Sequence, residues 1–498
     1  MHKLSSARLR GVQPAEAAST SSSHLAVPPK IHPLEWILVG ICALNLALLP
    51  WAYGGMIIWS QYVAMALGFV SLVVATLPRL ERIPSTGVLI HREMGWSKLR
   101  GLSIFWLGVA LEVYLAIQAL NPGFEYAQDS AHWWLTPLHH ASWLPSGMRV
   151  PFADMNGERT MLLFGTPWLT ACALWIGITR RRSILFLLRS IVINAFLFAV
   201  FALLQRASRA TGIYGGARIS STFLGAIIYK NHAAAYFGLC LLIGIVVTRE
   251  AWRYGGDRVA GNKTIVLGFF SAIIGVALLL SYSLAGVAVF GSAAVAATLI
   301  VFGKAIRQRL RHRGVLPAFV VGSLFAVALA GILLAIGSVD FQQRLMQKLS
   351  GGGAYSVRSR LIAAKCGLRM FADRWWYGWG GGCFRYGFVK YQRTEPAIYM
   401  FNALVLRWEN IHDDWLEALI ELGVAGGSIV LAMVSTCLAT IWKWRLWRHR
   451  LLVPALLATL VTPLYAFFDF PFHNPAVALT YVSLFVLAVR WAQIEARV

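Results

Sequence analysis

His412 opens the stretch HDDWLEALIELG, where an imidazole stands beside two carboxylates, Asp413 and Asp414, at the start of an apolar helical pattern. Imidazole is the side chain best suited to take a proton near neutral pH. Asp413 or Asp414 also suits the N-cap position, because a carboxylate there accepts hydrogen bonds from the first free amides of a helix. A second segment, SVRSRLIAAKCGLRMF, begins with Arg358 and Arg360 and continues with Leu361, Ile362, Cys366, Met370 and Phe371 at helical spacing. That pattern predicts an amphipathic helix lying on a membrane surface, with both guanidinium groups at its amide-rich end, where an anion is favoured. A third segment, RISSTFLGAIIYKNH, holds Arg218, Lys230 and Asn231. Guanidinium groups grip phosphate oxygens two at a time, and an amide can bond a sugar or phosphate oxygen. Together the three segments suit an anionic phosphate group held by cations, with an imidazole able to exchange a proton near neutral pH. The bland alternative for Lys230 and the arginines is a belt at the headgroup layer.

Nothing in the chain asks for a metal or a cofactor. Asp413 and Asp414 are adjacent and point apart on a helix, and the spacing of Asp129, His132, His139 and His140 matches no standard zinc site. No phosphate-cradling Walker loop is present. Cys366 and Cys383 read as two unpaired thiols, since no cysteine framework surrounds them.

The elements that must position these residues are membrane helices. Of 498 residues 58% are hydrophobic and 13% charged, and the mean hydropathy is +0.63, far above that of soluble domains. Apolar runs of about 20 residues, each long enough to cross the hydrocarbon layer, recur along the chain. They do not alternate as barrel strands would. The expected fold is therefore an all-α polytopic membrane protein of about 12 transmembrane helices, at 35–53, 55–77, 101–120, 160–178, 183–203, 226–248, 264–282, 284–303, 315–338, 423–441, 451–468 and 475–493. Residues 1–34, rich in Ser, Ala and Pro, read as a disordered cytoplasmic tail before a transmembrane domain over 35–498.

A net charge of +24 would suggest nucleic acid in a soluble chain; here it first reports orientation, and no nucleic-acid partner is expected. The connections after even-numbered spans hold Arg79, Arg180, Arg181, Arg182, Arg249, Lys304 and Lys443, which puts both termini in the cytoplasm. The long loop at 339–422 faces the other side. Up to Glu409 it carries eleven Lys and Arg against Asp340, Asp373, Glu395 and Glu409, a balance that an anionic ligand would explain. Glu112 and Arg189 are ionisable groups inside spans, and they are expected to be paired or to reach the headgroups.

In this order and topology the segments resemble the O-antigen ligase and O-antigen polymerase superfamily of bacterial membrane glycosyltransferases. The resemblance rests on Arg218, Thr222, Phe223 and Asn231; on Arg360, Gly378, Gly380 and Phe384; on His412, Trp415, Leu416, Glu421 and Gly423; and on DFPFHNPA, which begins at Asp469. Ser221, Tyr229, Asp413 and Leu284 depart from the family pattern. The resemblance implies transfer of a glycan from undecaprenyl diphosphate to an acceptor hydroxyl, the lipid A core, at the periplasmic face of the bacterial inner membrane. It makes 339–422 a periplasmic loop carrying the active site. The alternatives are an O-antigen or exopolysaccharide polymerase with another glycan acceptor and, in a different class, a flippase of lipid-linked glycans. Membrane lipids are the remaining partners. In this reading His412 is the general base, Arg218 and Arg360 bind the donor diphosphate with Arg358 in reserve, and Lys230, Asn231, Asp413, Asp414 and Asp469 are candidates for substrate contact.

Overall fold

A computed structural model describes residues 31–82, 89–91, 95–129, 132–151, 155–216, 223–253, 258–311, 346, 353–401 and 404–496. Among the described residues ten helices are long and apolar enough to cross a membrane: Pro33–Trp51, Ile58–Thr76, Ser103–Leu120, Gly157–Gly177, Arg181–Ala207, Lys230–Arg253, Asn262–Leu279, Leu284–Lys304, Asp414–Lys443 and Pro475–Glu495. The chain is thus an all-α polytopic membrane protein. The expected span 315–338 lies outside the described residues, as do Arg218 and nearly all of the expected tail 1–34.

Two of the expected spans take a different form. The helix at 451–468 is only Val453–Tyr465, 13 residues, or about 20 Å at the helical rise. It ends early because Ala466–Asp469 fold into a turn, with the Asp469 amide donating to Tyr465 O at 3.1 Å. The span expected to start at 423 instead begins at Asp414, and Asp414–Lys443 runs through a break at Gly423 (φ 64°, ψ −171°).

Burial decides which helices are central. In their most apolar windows Lys230–Arg253 is 94% buried and Pro475–Glu495 83%, against 11% for Asp414–Lys443. The last helix starts where its sequence says it should. Asn474 caps it by accepting from the Val477 amide, and Pro475 takes the first position, where no amide is missed. The turn between the first two helices packs onto this start. A Cβ on Gly54 would lie 2.5 Å from Asn474 Nδ2 and one on Gly55 2.6 Å from Pro475 Cβ, and both glycines have positive φ.

At the opposite end of the bundle Glu35 is fully buried. It accepts from Thr179 N (3.0 Å), Thr179 Oγ1 (2.6 Å), Arg180 N (3.1 Å) and Ser183 Oγ (2.6 Å), with Arg79 Nη1 at 3.5 Å. Beside it Arg181 pairs with Glu250 at 2.6 Å. Inside the spans, Glu112 Oε1 and Arg189 Nε are buried without a hydrogen-bond partner among the described residues.

Within 339–422 the described chain forms the helices Gly353–Asp373, Phe384–Gln392 and Pro396–Tyr399. Gly353–Asp373 does not lie free on a membrane surface. Ala363, Cys366 and Met370 are fully buried, and Gly367 sits against Ile411, Leu416 and Ile420, while Leu361 and Leu368 stay exposed. A three-stranded sheet of Phe124–Gln128, Trp133–Pro137 and Met148–Arg149 caps this layer, Phe124–Gln128 in the middle. Tyr126 and Tyr386 meet at 4.7 Å between ring centroids, and Phe124 stacks on Trp379 at 6.0 Å. Cys366 and Cys383 are both free. Burial pushes the Cys383 thiol up to about 12 and raises Cys366, with Glu395 adding to the latter, so both stay protonated.

Candidate functional site

The site is framed by the break at Gly423. Opening a helix there frees backbone groups that must find partners, and the Gly-rich turn after Gly353–Asp373 supplies them. Trp379 N donates to Ile420 O (3.0 Å), Gly380 N to Glu421 O (2.9 Å), Val424 N to Trp375 O (2.8 Å) and Ala425 N to Trp376 O (3.0 Å). Tyr114 and Gln118 reach in from Ser103–Leu120, the phenol donating to Leu422 O (2.7 Å) and the amide to Glu421 O (3.0 Å) and Tyr377 O (2.8 Å). The two chains touch so closely that a Cβ on Gly378 would sit 2.3 Å from Glu421 O, and one on Gly423 2.4 Å from Trp376 O. The Glu421 side chain accepts from Phe384 N at 3.0 Å. Gly378, Gly380, Glu421 and Gly423 therefore build the frame and hold the start of Asp414–Lys443 in place.

At that start Asp413 is the N-cap, one oxygen accepting from both Trp415 N and Leu416 N at 3.0 Å. His412 precedes it in the left-handed region, φ 62°, a conformation that costs a non-glycine residue on the order of 1 kcal/mol or more. The imidazole lies between Phe470 (ring centroids 5.0 Å) and Trp408 (5.7 Å) and is 25% exposed. Its Nδ1 faces Asp469 Oδ1 at 3.6 Å, beyond hydrogen-bond length.

Asp469 comes from the turn that shortened the preceding helix, and only 1% of it is exposed. It accepts from Phe470 N (2.9 Å), from Tyr465 Oη (3.3 Å) and, in a very short contact, from Asn231 Nδ2. Burial opposes its charge, yet His412 and His232 beside it and the Phe470 amide hold the carboxyl below its ordinary range, so it is ionised. Asn231 also donates to Tyr229 Oη at 2.6 Å. The Tyr229 ring stacks on Phe470, centroids 5.1 Å apart. Burial first, and then the Asp469 charge, hold the Tyr229 phenol above its ordinary range.

Arg360 reaches the same turn, donating from Nη1 to Phe468 O at 2.6 Å. It sits seven residues after Gly353, about two turns into its helix. The amide end expected to assist Arg358 and Arg360 therefore lies elsewhere. Arg358 is exposed, and Lys230 is half-buried at the first position of Lys230–Arg253.

Asp414 points away from His412. Its Oδ2 accepts from Phe472 N (3.0 Å), and its Oδ1 meets His473 Nδ1 at 2.6 Å. Glu417 meets the other ring nitrogen, Nε2, at 3.2 Å. Of the sequence candidates, the structure thus brings together His412, Asp469, Asn231 and Arg360, and it assigns Asp413 to the cap and Asp414 to a neighbouring pair. His473, Glu417 and Tyr229 were not among the candidates. His473 stands in the same DFPFHNPA segment as Asp469, and Glu417 lies three residues after Asp414, the spacing of a capping box had Asp414 been the cap. Among the described residues no three His, Cys, Asp and Glu groups converge as a metal site.

A helical membrane bundle with a guanidinium, an imidazole and a buried carboxylate gathered at one end defines a class of polytopic membrane proteins with an enzyme-like polar centre. Residues 269–431 match the family model described as O-antigen ligase, which links this part of the chain to the O-antigen ligase superfamily. No curated protein matches the chain. The matched segment contains Arg360, His412, Asp413, Asp414 and Glu417 and stops short of Asp469 and His473; Tyr229 and Asn231 precede it.

Proposed function

We propose that this protein is a glycosyltransferase of the inner membrane that moves a glycan from undecaprenyl diphosphate to a hydroxyl of the lipid A core at the periplasmic face, with both termini and the Glu35 end of the bundle in the cytoplasm. The observation that carries the reading is the pairing of His412, a quarter exposed, with the buried carboxylate of Asp469, beside Arg360.

An ionised Asp469 favours the tautomer with the proton on His412 Nδ1, which leaves the Nε2 lone pair to take a proton from the acceptor hydroxyl. The 3.6 Å separation is of the kind that tightens when substrate binds. As the hydroxyl oxygen attacks the anomeric carbon, the bond to the diphosphate breaks and charge grows on the leaving oxygens. Arg360 and Arg218 meet that charge, and Arg358 is the reserve cation. Direct displacement inverts the anomeric configuration and needs no covalent intermediate, and the guanidinium groups do the work a metal would otherwise do. Both oxygens of Asp414 and the capping oxygen of Asp413 are already engaged, which supports His412 over either as the base. Asn231 orients Asp469, and Lys230 adds a cation near the donor.

Reconstitution with undecaprenyl-diphosphate glycan and separate acceptors tests the proposal. Product on lipid A core is the expected result. Longer lipid-linked chains would reassign the protein as a polymerase, and movement of the donor across the bilayer without a new bond would make it a flippase.

A further inference from the structure

We propose that His473 is a positioning residue: as an imidazolium clamped between Asp414 and Glu417, it fastens the turn 469–473 to the start of Asp414–Lys443 and so holds His412 against Asp469. The role rests on reading His412 and Asp469 as the base and its partner.

His412 and Asp469 come from different elements, and their separation depends on how the turn sits on the helix start. Both oxygens of Asp414 are spent on that turn, one on Phe472 N at 3.0 Å and one on His473 Nδ1 at 2.6 Å. Glu417 joins the two halves of the site. One oxygen lies 3.2 Å from His473 Nε2, and the other accepts from Ile411 N at 2.9 Å, the residue just before His412. With the Asp413 cap on its other side, the left-handed backbone of His412 is pinned from both directions. The helix start is also tied to the end of Val453–Tyr465, Asp414 N donating to Ala466 O at 2.9 Å and Trp415 Nε1 to Pro463 O at 2.9 Å.

The clamp requires a charged ring. Two carboxylates face the two ring nitrogens, and only the doubly protonated imidazole can donate to both; a neutral ring would turn a lone pair toward one of them. The groups facing His473 are Asp414 and Glu417, with Glu421 and His232 also within electrostatic reach, and the Phe470 ring lies against both His473 and His412, at 5.8 and 5.0 Å between ring centroids. Burial opposes the charge, but Glu417 and Asp414 outweigh it and hold His473 well above the usual imidazole range. A group raised in this way keeps its contribution at low pH and loses it as pH rises through the folded value. The site should therefore loosen on the alkaline side.

The test compares the wild type, His473→Gln and Glu417→Gln as full chains in proteoliposomes, following transfer from undecaprenyl-diphosphate glycan across pH. The wild type is expected to show an alkaline fall in kcat with donor KM changed less than about twofold, the pattern of misplaced rather than missing groups. His473→Gln should lack that step and turn over slowly at every pH. In Glu417→Gln, losing one facing carboxylate should move the step down by about one pH unit or more. If His473→Gln kept the alkaline step, matched the wild type throughout, or if the step stayed in place in Glu417→Gln, the clamp would be overturned. Unfolding temperature in micelles provides a readout independent of transfer. An alkaline drop in wild type that His473→Gln lacks supports the clamp, whereas the same pH dependence in both removes it. No transfer by the wild type at any pH would sink the reading of His412 and Asp469 and leave the clamp to be judged on unfolding alone.

Discussion

Two buried carboxylates at opposite ends of the bundle, Glu35 and Asp469, are nearly equal in exposure, 0% and 1%, and opposite in circumstance. Glu35 is saturated. Two backbone amides and two hydroxyls donate to it at 2.6–3.1 Å with Arg79 behind them, so it has little capacity left and acts as a knot between helices. Asp469 has amide, phenol and carboxamide donors and shares its remaining interaction with an imidazole 3.6 Å away that is itself partly open to the outside. Burial of a charge marks cost, not purpose. What separates the two is whether the partner can still move a proton. At the Glu35 end the partners are hydroxyls, amides and a guanidinium, none of which changes protonation near neutral pH; at the other end it is His412.

The sharpest way to break this comparison is His412→Ala. Turnover should fall by about 100-fold to 10,000-fold, the usual contribution of a positioned base, while the lipid-linked donor still binds. Purified protein assayed for transfer and, separately, for donor binding would show it. Near-normal turnover in His412→Ala together with loss in Asp414→Asn would move the base to the carboxylate. Arg360→Lys comes next, at about 100-fold to 1,000-fold in kcat, because Lys keeps the charge and loses the fork that spans two phosphate oxygens. Arg218→Lys should behave alike, and retained activity in both would reduce the cations to bulk charge.

Smaller effects sharpen the contrast between the ends. Glu35→Gln should lower stability by about 1.5 to 3 kcal/mol, as expected when hydrogen bonds to a buried charged group are weakened, with the kcat of the surviving protein unaffected. Thermal unfolding and a transfer assay on the same sample separate the two. For Asp469 the linkage has the usual carboxylate sign. Its folded value is depressed, so its stabilisation is complete above the unfolded value near 3.9 and fades as pH falls through the lower folded one. Wild type and Asp469→Asn should accordingly differ in unfolding temperature near neutral pH and converge in strong acid; a constant gap at all pH values would mean that the charge contributes nothing. Arg358→Ala, at an exposed position, should change stability by no more than about 0.5 kcal/mol and leave turnover close to normal, unless Arg358 rather than Arg360 holds the donor.

Hydropathy was enough to place the membrane helices, because spanning a hydrocarbon layer is a demand that each segment meets with its own residues. The ten described spans follow the expected ones closely, and the departures occur where a helix end serves the site: Tyr465 stops early to release the Asp469 turn, and Asp414 starts early to carry the cap. The small sheet around Phe124–Gln128 was not expected, since its short strands acquire a period only from the aromatic rings of Trp379 and Tyr386 beneath them.

The sequence by itself determined the class of protein, the position of most of its membrane helices, and the short list from which the site is drawn, because those depend on residue type and local spacing. Tertiary structure alone decided how that list divides. Asp413 and Asp414 are neighbours of the same chemistry, yet one caps a helix and the other pairs with His473. Asn231 and Asp469, 238 residues apart, meet beside His412, and Gly378 and Gly423 prove to be the contact between two backbones. Such assignments depend on which groups arrive within a hydrogen-bond length of one another. That is a property of the packed bundle, and no local pattern encodes it.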